Sequence, residues 1–348
     1  MKKVYLATVV LGVAAVLSGC VSLKSSSSLR DGGIFKSVDF GEHWTQKVQL
    51  IGGTKALSNL ANVDTHFLVF DPKNEGTLYF VSQGAGVFRT TDGGDKWQQT
   101  LAAGTYSSLS IDAHNTNVVY VASDKQIVKS VDGMKSWQTI YLETRPGQKL
   151  ISVIVDPFEY GIVYAATTTG LIKSFDYGNT WKLLNWQQPQ ISALYQSNRN
   201  TAVLYALTNQ GIFKSTNGAN DWSNTTTALK QYKGALTIYW VDFDPDRDIM
   251  FLGTAYGIFK STDGGNRWET VTTLFDFKKV PIKAVIHNPD NLNEIIFSVG
   301  TILHKTDDGG RTWKTLKSVP TSRLINYLIA DPYHKDTVFL GTTKPPKK

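Results

Sequence analysis

Apolar and polar residues alternate along the chain in short runs, each bounded by turn residues, and the arrangement repeats. Ile151-Ser-Val153-Ile-Val155 is typical of a first run. Period two over so short a stretch predicts a strand and leaves no room for an amphipathic helix. A turn follows, often Asp-Pro, as at Asp71-Pro72, Asp156-Pro157, Asp244-Pro245 and Asp331-Pro332, with Asn288-Pro289 as a variant. Proline pre-sets the turn, and the Asx side chain bonds the backbone just beyond it. A second run carries an aromatic residue at one place: Tyr79, Tyr120, Tyr164, Tyr205, Phe251, Phe297 and Phe339. A third reads like Gly257-Ile-Phe259-Lys-Ser261, and a short fourth run surrounds a tryptophan. Four strands per unit and seven units predict an all-β, seven-bladed β-propeller of four-stranded blades.

A Ser/Thr-x-Asp-x-Gly-x-x-Trp pattern marks the turn between the third and fourth runs. Its acidic position holds Asp39, Asp92, Asp132, Asp176, Asn217, Asp263 and Asp308, and its tryptophans are Trp44, Trp97, Trp137, Trp181, Trp222, Trp268 and Trp313. Successive tryptophans lie 53, 40, 44, 41, 46 and 45 residues apart, a period suited to propeller blades. The ends fit the same count. A third strand at Gly33-Ile34-Phe35-Lys36 has no first or second strand before it, and Leu328–Ala330 with Val338–Gly341 has no third or fourth after it. Together they predict one blade closed by both ends of a domain covering 33–343, with 344–348 as a basic tail. Closure removes the exposed sheet edges of an open stack.

These residues resemble the Asp-box, or bacterial neuraminidase repeat, from about Gly33 onward. Sialidases, xyloglucanases, sortilin-type receptors and the photosystem II assembly factor of cyanobacteria carry it. The resemblance implies that the carboxylate accepts backbone N–H bonds within its turn, that the glycine takes a conformation other residues resist, and that the tryptophan covers the join between blades. Ligands in such proteins sit on the opposite face, so the repeated aspartates read as structural. Met134 stands where glycine is expected, which predicts a distorted turn there. Asn217 can still accept a bond in the fifth turn, beside Ala219.

Residues 1–19 read as an export leader: Lys2 and Lys3, then an apolar run from Val4 to Leu17. Leu17-Ser18-Gly19-Cys20 resembles the lipobox of bacterial lipoproteins, which implies acylation of Cys20, the single cysteine. Residues 20–32 then form the lipidated end and a flexible tether. The expected location is the bacterial cell envelope, anchored by lipid outside the cytoplasm. Val21 in place of aspartate favours the outer membrane. One cysteine leaves no disulfide. The formal net charge of +7, two units of which leave with the leader, is too modest for a dedicated nucleic-acid binder.

Sialidase chemistry is not expected. No Arg-Ile-Pro segment occurs, and of eight arginines only Arg145 and Arg323 fall on the face opposite the repeated turns. A xyloglucanase-like hydrolase needs two facing carboxylates. Asp64, Asp124, Glu143, Asp242 and Asp276 fall near that face without evident pairing. Asp242 interrupts a first-strand position otherwise held by Val69, Ser110, Ile154, Leu194, Ile286 and Ile329, and a local partner is the expectation. The run from Asp242 to Asp248 lacks the glycine and distal glutamate of a calcium loop, and the six histidines are scattered, so no metal, cofactor or catalytic residue is assigned. The connections between blades are rich in lysine and arginine. Arg145, Lys149, Lys233, Lys283 and Arg323, with Asp242 and the loop residue Trp186, are the candidates for contact with a partner. The expected function is a membrane-anchored, non-catalytic propeller docking a protein partner of acidic surface on its loop face, as an assembly factor or envelope-complex subunit. A glycoside hydrolase or glycan-binding lipoprotein is the alternative.

Overall fold

A computed structural model describes residues 31–53, 57–273, 282–317 and 319–346. The leader, Cys20 and most of the tether, Asp276, and the last two lysines lie outside the described residues. Seven antiparallel sheets form the blades of a propeller. Blade 1 comprises Thr65–Phe70, Leu78–Ser82, Val87–Thr90 and Lys96–Leu101; blades 2 to 6 cover 106–142, 150–184, 191–224, 238–271 and 284–315. One short 3-10 helix, Thr227–Gln231, interrupts the connection between blades 4 and 5. Blade 7 is built from Leu324–Ala330 and Val338–Thr343 with Ile34–Ser37 and Thr45–Gln46. Within it Ile34 pairs with Gly341, Phe35 with Leu340 and Ser37 with Val338. The wide first tryptophan step is also explained: Gln49–Leu50 runs parallel to the outer strand of blade 1 as a fifth strand.

Each blade is an up-and-down meander. The turn between its first and second strands therefore shares one face with the turn between its third and fourth. The loops between second and third strands, and the connections to the next blade, share the other. All seven repeated turns keep the same bonds. The Ser/Thr hydroxyl accepts the N–H four residues on: Gly41, Gly94, Met134, Gly178, Ala219, Gly265 or Gly310. The Asp or Asn oxygen accepts the N–H of His43, Lys96, Ser136, Thr180, Asp221, Arg267 or Thr312 at 2.8–3.0 Å. The distorted turn expected at Met134 is not found. Met134 takes φ 70° and Ala219 φ 71°, left-handed values that glycine holds in the other turns, and both keep the bond.

Blades pack face to face through apolar clusters; between blades 7 and 1 these include Ile34, Leu68, Phe80, Phe88, Trp97 and Phe339. Four indoles also donate to the outer strand of the preceding blade or to the connection that leaves it: Trp97 to the Lys47 carbonyl, Trp137 to Thr100, Trp268 to Thr225 and Trp313 to Thr272, at 2.9–3.1 Å. Trp181 and Trp222 instead bond within their own turns, to the Gly178 and Ala219 carbonyls. Trp44 packs half-buried in the cluster between blades 6 and 7.

A second inter-blade device lies in the residue before each repeated turn, which is basic in every blade: Lys36, Arg89, Lys129, Lys173, Lys214, Lys260 and Lys305. Lys36, Arg89, Lys129, Lys173 and Lys214 sit over the second-strand ring opposite them, at 4.7–6.0 Å from its centroid. Three reach on to the next blade's turn. Lys36 donates to the Gly93 carbonyl, Lys129 to Tyr177 and Lys214 to Gly264.

The register corrects two positions. In blade 6 the residue opposite Lys305 is Ile296, so the aromatic series is broken there, and Phe297 points to the other side of its sheet. In blade 4 the residue opposite Tyr205 is Tyr195, not Leu194.

Candidate functional site: the face of the inter-blade connections

Six of the seven innermost strands carry a β-bulge just after their start, as between Ile191 and Ala193 and between Ile238 and Trp240. The extra residue lies at the mouth of the channel on the connection face. In blade 5 it is Tyr239, which is exposed with the Lys283 ammonium 4.5 Å from its ring centroid. Tyr256, on the neighbouring loop, is exposed as well and packs against Tyr232. Lys233 is exposed between them in sequence, and among the described residues no ion pair reaches Lys233 or Lys283. Beside this cluster, blades 4 and 5 leave a groove of about 420 Å³ lined by Gln190, Ser192, Thr208, Asn209, Leu236 and Thr237. Lysines and exposed tyrosines at a groove mouth suit an extended, acidic segment.

The other basic candidates are not available in this way. Glu143 is buried and accepts from Arg145 Nε at 2.9 Å and Nη2 at 2.6 Å, with the Tyr141 hydroxyl at 3.2 Å. The Arg145 bonds, outweighing burial, hold the Glu143 carboxyl below its ordinary range. Lys149 pairs with Asp124 at 2.7 Å. Arg323, expected on the surface, is buried. It donates to Asp64 at 2.9 Å and Asn62 at 3.0 Å, with Asp31 at 3.8 Å, because it bolts the closing blade to the segment entering blade 1. Trp186 is likewise no free anchor: its ring packs edge-on against Trp222 at 5.1 Å and Phe213 at 6.3 Å, and its N–H donates to the Pro189 carbonyl. The uneven charge of the connections thus serves in part to neutralise acids of the same face.

Asp242 has the local partner expected of it. Its carboxylate accepts the backbone N–H of His287 at 2.9 Å and lies 2.6 Å from Nδ1 of the same residue, across the join of blades 5 and 6. The buried His287 ring stacks on Phe251. Asp242 and Tyr195 are neighbours at one level of the channel, and burial, then the Asp242 charge, push the Tyr195 phenol up to about 12. Trp240 and Tyr327 belong to blades 5 and 7, which do not adjoin, so their 4.9 Å contact is made in the channel. Tyr327 also donates to the Leu68 carbonyl of blade 1 at 2.9 Å. Sequence reasoning missed Tyr195, Tyr239, His287 and Tyr327. The histidine was visible only as one of six scattered ones, and the tyrosines only as strand residues.

Among the described residues, no group of three or more His, Cys, Asp or Glu side chains is arranged to hold a metal ion. Among the described residues, none that lines the groove is a carboxylate.

No family model matches the chain, and no curated protein matches it either. Solved structures do. One, YCF48 bound to D1 peptide, superposes with a TM-score of 0.61 at 18% identity over 82% of this chain and 94% of that one. A GH74 enzyme of Niastella koreensis gives 0.64 at 17% identity, over 88% of this chain and 53% of that one. The GH74 xyloglucanase of Xanthomonas campestris gives 0.63 at 14%, over 81% and 51%. The chain spans about half the length of each of these two enzymes. At such identities the likeness is one of fold.

Proposed function

We propose that the protein is a non-catalytic propeller that docks a protein partner on the face of its inter-blade connections. We further propose that it is held in the bacterial cell envelope, at the outer membrane, by lipid on Cys20. One observation carries the first part: among the described residues, the four candidate acids of that face are committed within the chain. Glu143 is gripped by Arg145, Asp124 by Lys149, Asp64 by Arg323, and Asp242 by His287. A glycosidase needs one carboxyl with a raised pKa to protonate the leaving group. The Glu143 carboxyl is shifted the other way. What stays open to solvent is cationic and aromatic: Lys233, Lys283, Tyr239 and Tyr256. An acidic, extended stretch of a partner protein matches it. That a propeller of this fold has been solved with a peptide bound lends the reading support.

The test is recovery of the partner by crosslinking in cells, followed by binding with Lys233→Glu and Lys283→Glu combined. A partner is expected whose affinity falls at least tenfold in that variant and weakens with salt. An unchanged affinity, or hydrolysis of a glycan that disappears with Glu143→Gln, overturns the reading. For the anchor, radiolabelled palmitate should enter the wild-type chain and not Cys20→Ala; equal labelling of the two refutes it.

A further inference from the structure

The opposite face holds a second groove, of about 460 Å³, where blade 3 meets blade 4. Asp156, Glu159, Tyr164 and Lys173 line it from blade 3, and Thr201 and Asn217 from blade 4. At three other joins the lysine before the repeated turn donates to the next turn's carbonyl. Lys173 occupies the same place and, like Arg89 and Lys260, donates to no carbonyl of the next turn among the described residues; its ammonium lies 4.7 Å from the ring centroids of both Tyr164 and Phe175. The Tyr120 hydroxyl, one blade earlier, donates to the Tyr177 carbonyl at 3.1 Å, whereas the Tyr164 hydroxyl has no such bond. The turn these two face is one of the two altered ones, Asn217-Gly218-Ala219, and the only one of the seven with Asn at the acidic position. Here the inter-blade clasp is open, and a cation and a hydroxyl point into the groove instead.

The surroundings are also exceptional. Phe175 is 59% exposed, and in the other six turns its place is taken by Val38, Thr91, Val131, Thr216, Thr262 or Asp307. Phe158, next to Glu159, is exposed too, as is Tyr160, whose ring stacks on His114 at 3.9 Å. With Tyr177, blade 3 carries four exposed aromatic rings, more than a solvated turn requires.

We propose that this groove binds a neutral saccharide. The exposed Phe175 ring, beside the groove-lining Lys173, offers apolar surface to the C–H face of a sugar. Lys173 and Tyr164 donate and Glu159 accepts, while the Thr201 hydroxyl, whose proton goes to the Asp156 carboxylate, can accept as well, a mixture that sugar hydroxyls satisfy because each can donate and accept. A carboxylate or phosphate ligand would instead meet the charges of Asp156 and Glu159. The site lies across the molecule from the docking face and stands or falls apart from it.

The test is isothermal titration of the full chain with cellotetraose, maltotetraose, mannotetraose and chitotetraose. At least one should bind, and Phe175→Ala and Lys173→Met should each weaken it about tenfold or more, equivalent to the loss of about 1.4 kcal/mol. Phe175 is exposed, so its loss should leave the thermal melt unchanged; Lys233→Glu should leave binding unchanged. The inference is overturned if none of the four binds at about 10 mM, where even millimolar affinity would register. Binding that survives both substitutions overturns it too, as does preference for an oligouronate or for phospholipid vesicles.

Discussion

Replacing Arg323 by alanine tests how the ring is held shut. Its guanidinium joins the connection between blades 6 and 7 to Asp64 and Asn62 before blade 1, and to Asp31 at the head of the closing strand. The Arg323 side chain is 6% exposed, against 25% for Asp64 and 18% for Asp31. Removing one member of a buried ion pair costs about 3–5 kcal/mol, chiefly because the surviving charge stays desolvated. Here each carboxylate keeps a backbone donor, Lys344 N–H for Asp64 and Ser322 N–H for Asp31, and water reaches both. We therefore expect the lower end, about 3 kcal/mol. Urea unfolding of Arg323→Ala, Asp64→Asn and the double variant measures the total and the coupling, and hydrogen exchange of residues 34–37 reports the closing strand. Protection there should fall more than in blades 3 and 4. A loss below about 1 kcal/mol, the range of surface pairs, with 34–37 exchanging as before, would refute the latch.

Three further outcomes follow from the same geometry. The Thr180 hydroxyl and N–H hold the Asp176 carboxyl at about 2, and Ser136 and Thr312 hold Asp132 and Asp308 well below the ordinary range. Stability from these turns should be complete above the unfolded carboxylate value of about 3.9 and should drain away as pH falls toward 2. Melting curves between neutral pH and pH 2 measure this, and a flat profile refutes it. Trp97→Ala, at the most deeply buried of the repeated indoles, should cost about 3–5 kcal/mol in urea. Gly341→Ala should cost about 1–3 kcal/mol, because a Cβ there would lie 2.3 Å from the buried Thr65 methyl across the join of blades 7 and 1. An unshifted urea midpoint would show that this join yields.

The blade count and the closing strand pair were legible because each rests on local pattern repeated many times: alternation, Asx turns and a tryptophan at a set distance. The positions misread are those where that ruler is missing. Blade 4 turns through Ser197-Asn198 with no Asp-Pro to align on, so the sequence pattern points to Leu194 where Tyr195 stands. Blade 6 makes a tighter hairpin, with Asn288 opposite Asn291, and an aromatic residue one place along drew the alignment to Phe297. The candidate site was legible as composition only. Which lysines stay open depends on pairs such as Arg323 with Asp64, 259 residues apart, and on Asp124 lying across a loop from Lys149. No local periodicity encodes those meetings. Cys20 and Asp276 fall outside the described residues.

The order of strands in blade 7 has a consequence for biogenesis. Ile34–Ser37 leans on Val338–Thr343, a stretch some three hundred residues downstream, and has no other inner neighbour. Until that stretch emerges, the first of the described strands has a naked edge, and six finished sheets form an arc with two open flanks. A nascent chain in that condition exposes strand edges open to aggregation until its last strand pairs with its first.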